Sequence, residues 1–308
     1  MSAAGDRDPV LITGAGGFLG AWLAAELLAR GRTVAAFDRR EERGLLADLA
    51  GRERALDMSW TTGDITDTVA VEAAFEKSGA RSVVHLAALT IPDCRRDPAR
   101  AVAVNVIGHV NVLEAARRRG IAGMLYTSSI ASHPRGELRS PANIYGVTKR
   151  AVEDISKVYF LDHGITSVGL RPNVVYGYGR AGGETAAVSE AIRAAALGQA
   201  YAMPFAGAMS FQYVGEIVDV MIRCLDAAPE RPVVSDVTTR VETVDDVLAA
   251  ISEAEPDARI APSAVARAAP DIALDNTPLR TLIGDWPAVP LREGVARTMA
   301  IHRKRVDA

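Results

Sequence analysis

Val10-Leu11-Ile12-Thr13-Gly14-Ala15-Gly16-Gly17-Phe18-Leu19-Gly20 runs from a short apolar segment into a glycine-rich turn, and the turn opens a helical stretch, Phe18 to Arg30. Glycines at 14, 17 and 20 permit a tight turn, close approach of backbone to a diphosphate, and close packing of helix on strand. The helix N-terminus adds the positive end of its dipole. Glycines alone mark any turn. The order strand, turn, helix near the start of the chain makes this one the expected phosphate cradle of a dinucleotide. The second strand candidate, Thr33 to Phe37, is followed by Asp38, eighteen residues after Gly20. A carboxylate there accepts hydrogen bonds from ribose hydroxyls and repels a 2′-phosphate, which favours NAD. Arg39 and Arg40 keep NADP open, because guanidinium groups bind phosphate, and Asp38 also reads as a plain cap of the next helix.

Working outward, apolar β-branched runs alternate with stretches of helical period as far as Arg171, the pattern of repeated βαβ units. Strands are expected at Val10 to Thr13, Thr33 to Phe37, Ser59 to Thr62, Ser82 to Leu86, Gly123 to Thr127 and Ser167 to Leu170. Helices are expected at Phe18 to Arg30, Arg40 to Leu49, Val69 to Lys77, Pro98 to Arg119 and Ile144 to His163. Near-continuous apolar strands such as Val83 to Leu86 fit burial on both faces. The fold class is α/β, a doubly wound parallel sheet of the Rossmann kind, with a smaller C-terminal substrate-binding lobe. Residues 1–175 form the expected NAD-binding domain. Residues 176–308 form mostly the lobe, with room for some segments to return to the sheet.

Composition narrows the partners. A chain of 308 residues with 49% hydrophobic content buries a sizeable core, and a net charge of -3 gives no pull toward nucleic acid or an anionic membrane. A small-molecule substrate is the expected partner. Cys94 and Cys224 stand in no metal or redox spacing, so no metal site is expected, and they read as ordinary thiols of a reducing compartment. The polar Met1 to Asp8 and the lack of a run of about 20 apolar residues point to a cytoplasmic protein.

Tyr145-Gly146-Val147-Thr148-Lys149 puts Tyr145 and Lys149 four apart, on one helix face. A phenol has a pKa near 10. An adjacent ammonium stabilises the phenolate, so Tyr145 is expected to exchange a proton with a substrate hydroxyl at neutral pH. Taken alone, such a pair is also an ordinary exposed helix pair.

Seven segments in order change that balance. They are the turn from Gly14 to Gly20, Gly63-Asp64-Ile65, His85-Leu86-Ala87-Ala88, Asn105-Val106-Ile107-Gly108, Thr127-Ser128-Ser129, Tyr145 to Lys149, and Arg171-Pro172-Asn173-Val174-Val175-Tyr176-Gly177. With them the chain resembles, over nearly its whole length, the extended short-chain dehydrogenase/reductases, also called the NAD-dependent epimerase/dehydratase family. The resemblance implies a catalytic set of Asn105, Ser129, Tyr145 and Lys149. Ser129 would hydrogen-bond the reacting oxygen, Lys149 would also hold the nicotinamide ribose, and Asn105 would support a proton path through water to the lysine. It implies that NAD is held by Gly14, Gly17, Phe18, Leu19, Gly20, Asp38, Arg39, Asp64, Ile65, Leu86, Ala87, Ala88, Thr127, Pro172 and Val174, with Tyr145 and Lys149. Asp64 and Ile65 would meet the adenine. It also implies a homodimer through the helices Pro98 to Arg119 and Ile144 to His163. Without that company, Ser128-Ser129 reads as a turn, Asn105 as a solvated helix position and His85 as strand-end packing.

Two departures matter. Dehydratases of the family carry an acidic pair just after the catalytic hydroxyl, where this chain has Ile130 and Ala131. Members that bind diphosphate sugars commonly place an arginine where this chain has Met209, and the nearest match to their later Arg-Pro-Gly-Asp stretch is Arg267-Ala268-Ala269-Pro270-Asp271. The leading expectation is an NAD-dependent oxidoreductase acting at a hydroxyl-bearing carbon of a small polyol, sugar acid or hydroxy-ketone. A sugar or nucleotide-sugar epimerase is the alternative, with Arg180, Arg193 or Arg267 available to reach phosphates from another direction. A non-catalytic dinucleotide sensor is weakened by the intact set of four.

Overall fold

The β-branched runs of the first half become strands of one parallel sheet: Val10–Thr13 (β1), Val34–Asp38 (β2), Ser59–Thr62 (β3), Ser82–His85 (β4), Gly123–Thr127 (β5) and Thr166–Arg171 (β6). A seventh, Val233–Asp236 (β7), returns from the C-terminal half and pairs with β6. The structure is a computed structural model and describes residues 8–183, 185–227, 229–267 and 273–306. Spatial order is β7-β6-β5-β4-β1-β2-β3, all parallel.

All four residues of β1 and all four of β4 are buried, because helices cover both sheet faces. On one face Leu23, Ala24 and Leu27 of helix Phe18–Ala29 pack with Ile217 and Met221 of helix Val214–Ala227. On the other, Phe75, Val112, Leu113 and Val152 come from three helices: Thr68–Ser78, Gly108–Arg118 and Ile144–His163. The strand order reverses between β1 and β4, which opens a crevice at their C-terminal ends.

Several elements differ from their sequence patterns. The stretch read as one helix from Pro98 to Arg119 is an α-helix Pro98–Val102, a π turn Ala103–Ile107 and a second α-helix Gly108–Arg118. A π turn adds one residue to the helical circuit, and here it falls on Asn105. The helix expected at Arg40 begins only at Gly44, and two short helices, Arg52–Asp57 and Ile91–Arg96, carry too few residues to show a period. The lobe is built from small pairs, including parallel Val174–Tyr176 with Phe211–Tyr213 and antiparallel Ala208–Met209 with Glu242–Thr243. Among the described residues no helix is long and apolar enough to cross a membrane.

Candidate active site

The glycine turn sits in the crevice. Gly14 has φ +74°, and a Cβ there would lie 2.7 Å from the Ala87 backbone nitrogen. A Cβ on Gly20 would collide with the Gly14 carbonyl and with Ala15, so helix Phe18–Ala29 lies closer to the turn than any side chain permits. The Gly16 N–H donates to Asp38 Oδ2 at 2.9 Å and the Arg39 N–H to Asp38 Oδ1 at 2.7 Å. Asp38 therefore braces the turn with one oxygen and keeps lone pairs for ribose hydroxyls. Asp64 accepts from the Thr66 N–H at 2.9 Å, from its hydroxyl at 2.8 Å, and from Arg100. Burial works against its charge, but these hydrogen bonds prevail and hold the carboxyl below the usual range.

These residues line a cleft of about 330 Å³. Of the expected cofactor set it contains Gly14, Gly17, Asp38, Arg39, Asp64, Ile65, Leu86, Ala87 and Ala88. Gly16, Gly63 and Arg100 also line it; Arg100 carried no local signal, since only the fold brings it to Asp64. Phe18, Leu19, Gly20, Thr127, Pro172 and Val174 do not face this cleft. Phe18 lies under Arg180, Val174 is buried in its strand, and the carbonyl of Pro172 accepts from Ile130. The cradle of backbone with no room for a Cβ fits a diphosphate, and the carboxylates at Asp38 and Asp64 fit the hydroxyls and adenine of an adenosine half.

Asn143 caps helix Ile144–His163 by accepting from the Gly146 N–H at 2.9 Å. A Cβ on Gly146 would strike the Ala131 carbonyl, so the first turn of the helix lies directly against the Ile130–Ser132 turn. That contact brings Tyr145 to Ser129, whose hydroxyl interacts with the phenol. Lys149 Nζ donates to the Thr127 carbonyl at 2.6 Å and lies 5.7 Å from the centre of the Tyr145 ring. Burial pushes Lys149 down to about 8, against the pull of Cys94 and Glu153.

The expected lowering of the Tyr145 pKa by Lys149 is corrected by this geometry. Burial pushes the phenol up, and the groups that oppose it are the Ser129 hydroxyl and the Arg180 charge. The Lys149 ammonium is turned to a backbone carbonyl instead. Asn105 is buried, not solvated: its Oδ1 accepts from the Leu89 N–H at 2.7 Å, and its Nδ2 donates to the Leu89 carbonyl and to Thr148 Oγ1, both at 3.1 Å. It clamps the segment after β4 to the helix that carries Tyr145 and Lys149.

Behind Ser129 lies a buried polar network. Glu153, fully buried one turn after Lys149, accepts from the hydroxyls of Ser128 and Ser132 and from both Nε and Nη2 of Arg171, the latter two at 2.7 and 2.6 Å. Asp236 of β7 is 3.8 Å from Arg171 and 2.7 Å from His133 Nε2. The network holds the Ser129 turn to β6, β7 and helix Ile144–His163. A carboxylate four residues past the lysine was its one legible trace.

Ser129 and Tyr145 also line a second cavity of about 520 Å³, with Arg135, Arg180, Thr185 and Arg267. The segment after β4 serves both spaces, with Leu89 lining the cleft and Thr90 the cavity. Ile130, Ala131 and Met209 face the cavity, so the positions that carry acids or a diphosphate-binding arginine elsewhere supply none here. Ala268 to Asp271 lie outside the described residues.

A model of the NAD dependent epimerase/dehydratase family matches residues 10–235. Over 318 aligned residues the chain is 28% identical to UDP-glucose 4-epimerase of Mycolicibacterium smegmatis, covering 96% of this chain and 98% of that protein. Among solved structures it is similar to the UDP-glucose 4-epimerase of Thermus thermophilus complexed with NAD, with TM-score 0.76, 27% identity and coverage of 96% and 98%. It is also similar to a partial-consensus L-threonine 3-dehydrogenase, with TM-score 0.82, 26% identity and coverage of 96% and 99%.

Proposed function

The chain belongs to the NAD dependent epimerase/dehydratase family, and from that premise we propose that it is a dehydrogenase or reductase acting at a hydroxyl-bearing carbon of a small substrate. The carrying observation is that Ser129 and Tyr145 together line the 520 Å³ cavity, while the glycine turn, Asp38 and Asp64 line a separate cleft suited to a dinucleotide. NAD bound in the cleft supplies a hydride acceptor or donor. The chain's own residues manage the proton. A substrate oxygen between Ser129 and Tyr145 meets two hydroxyl donors, with the cations of Lys149 and Arg180 near the phenol. In oxidation Tyr145, ionised as the phenolate, takes the substrate hydroxyl proton as the C–O bond becomes C=O; in reduction the neutral phenol gives its proton to the forming alkoxide. Asn105 and Glu153 position this set without touching substrate. Asp38 supports NAD over NADP through its free lone pairs, and residues 1–175 with β7 serve as the cofactor domain.

Epimerisation is the second reading, favoured by the likeness to UDP-glucose 4-epimerases. Ile130 and Ala131 offer no groups to remove and deliver protons, which sets sugar 4,6-dehydration aside. We place the protein in the cytoplasm, supported by two buried free thiols, Cys94 and Cys224, and as a homodimer, supported by an apolar stripe on helix Ile144–His163. The deciding experiment incubates the protein and NAD with hydroxylated metabolites while NADH absorbance is followed. Accumulating NADH identifies a dehydrogenase. Product without net NADH overturns that reading for the epimerase.

A further inference from the structure

We propose that Arg100 is a cofactor-binding residue, a flat cation that closes the dinucleotide cleft against the adenine ring and is held there by Asp64. This rests on NAD as the cofactor and holds for a dehydrogenase and an epimerase alike. The place of the base follows from the sheet. The glycine turn after β1 takes the diphosphate and Asp38 at the end of β2 the ribose, so the base lies at the next strand outward, β3, which runs into Gly63, Asp64 and Ile65. A purine needs apolar surface for its faces and polar groups at its edge. Ile65 and Val104, both buried, line the cleft at this end, and a Cβ on Gly108 would lie 2.8 Å from Ile65 Cγ2, so close packing of that helix fixes the isoleucine. Arg100 reaches the same end from helix Pro98–Val102, where Asp97 caps the helix by accepting from the Arg100 N–H at 2.9 Å.

The Arg100 guanidinium donates through Nη2 to Asp64 Oδ2 and through Nη1 to Thr66 Oγ1, the latter at 3.4 Å. Asp64 Oδ1 accepts both the N–H and the hydroxyl of Thr66, which fills its lone pairs, and Oδ2 keeps one for a donor on the base. The carboxylate therefore serves chiefly to anchor the guanidinium. With its side chain 37% exposed, Arg100 adds little to the fold through this ion pair, and its worth lies in what fills the cleft. A guanidinium is planar and weakly hydrated and stacks on aromatic faces. Because Asp64 and Thr66 already hold it, little ordering remains when the base arrives. A 2′-phosphate is the rival ligand for an arginine here. Among the described lining residues, Asp38, Glu42 and Asp64 stand against Arg39, Arg40 and Arg100, which leaves no excess of positive charge to draw one in.

Calorimetric titration of nucleotide-free protein with NAD, ADP-ribose and NADP supplies the test. Arg100→Met keeps the apolar stem and loses the plane and the charge. It is expected to weaken NAD and ADP-ribose alike by about 10-fold, because both carry the adenosine half. Arg100→Lys keeps the charge and is expected to recover less than half of that loss on a logarithmic scale. Without nucleotide, both variants are expected to melt within about 3 °C of wild type, which separates a lost contact from a lost fold. A larger drop makes the residue a structural one and overturns its role at the cofactor. Unchanged affinities in Arg100→Met overturn the adenine contact and leave the cleft to NAD. A loss for NAD without one for ADP-ribose also overturns it, since the effect then lies at the nicotinamide end. A loss for NADP at least about 10-fold greater than for NAD makes Arg100 a phosphate clamp instead. Full recovery by Arg100→Lys shows that charge alone acts and overturns the planar contact. If wild type binds neither NAD nor ADP-ribose, the cofactor reading itself fails, and the role of Arg100 with it.

Discussion

Tyr145 lines the cavity, and its hydroxyl meets that of Ser129. Removing that oxygen should therefore change chemistry and little else. Tyr145→Phe is expected to lower kcat at least about 100-fold with NAD affinity retained, measured by steady-state rates and cofactor titration. Residual turnover above about one part in a hundred contradicts the proton role. Lys149 tests the opposite balance, function held at the expense of stability. Its folded pKa, about 8, is depressed below the ordinary lysine value. At neutral pH the ammonium is charged in both states, and the fold carries the full desolvation cost, on the order of 3 kcal/mol. As pH rises from about 8 toward 10.5 the folded lysine loses its proton before the unfolded one, and that cost fades. Lys149→Met leaves the Thr127 carbonyl without its donor, worth about 1 to 3 kcal/mol, so the two effects nearly offset. The expected result is an inactive enzyme with a Tm at pH 7 no lower than wild type, its stability relative to wild type declining between about pH 8 and 10. A large loss of stability at pH 7 rules out the buried ammonium as a burden.

The catalytic helix Ile144–His163 and β4 are joined to their neighbours by buried polar groups, and these are the elements' weak points. Glu153→Ala would leave the Arg171 guanidinium beside Asp236 without its two-pronged partner, and both serine hydroxyls without an acceptor. A loss of about 3 to 5 kcal/mol is expected in denaturant unfolding; a loss below about 1 kcal/mol means the network contributes nothing net. His85 of β4 bonds Thr13 Oγ1 at 2.7 Å, and His109 of helix Gly108–Arg118 bonds Ser156 Oγ at 2.9 Å, with the rings 5.2 Å apart. Burial, and then the Lys149 charge, push His85 down to about 3; burial, then His85 and Lys149, push His109 well down. Both pKa values are depressed, so the stability they contribute is present above about pH 6.5 and is lost as pH falls toward the folded values. About 2 kcal/mol per histidine should vanish between pH 7 and 5, and His109→Gln should halve that slope. A flat profile in wild type overturns the neutral assignment. The sequence displayed strands, glycine turn and catalytic helix because each is a local period. It hid the π turn at Asn105, since one extra residue barely disturbs a helical pattern. It hid the Glu153, Arg171 and Asp236 contacts because they join β6, β7 and a helix far apart along the chain. Arg180 was visible only as one of several arginines until the fold set it over Phe18 and in the cavity wall.

At the scale of the whole molecule, the same helix that buries Lys149 and Glu153 on one side leaves apolar side chains in water on the other. Ile144, Val147, Val158 and Leu161 are 40%, 46%, 50% and 77% exposed, and their spacing keeps them, with Ala151, on one stripe. Val102 and Ile107, on the neighbouring Pro98–Val102 helix and the π turn, are also about half exposed. A soluble monomer seldom keeps such a contiguous patch, and a second copy related by a two-fold axis would cover it with an identical stripe. The site does not depend on that contact, since Ser129, Tyr145 and Lys149 are all fixed by groups of their own chain. Light scattering at micromolar concentration should give twice the 32.6 kDa chain mass. Val158 and Leu161 lie toward the end of the helix remote from Tyr145, so Val158→Asp combined with Leu161→Asp places two charges in the stripe and leaves the acid/base pair untouched. The double variant is expected to run as a monomer with its secondary structure and NAD affinity intact, because both side chains already face water in the single chain. A wild-type monomer, or a double variant that remains dimeric, shows that this stripe is not where two copies meet.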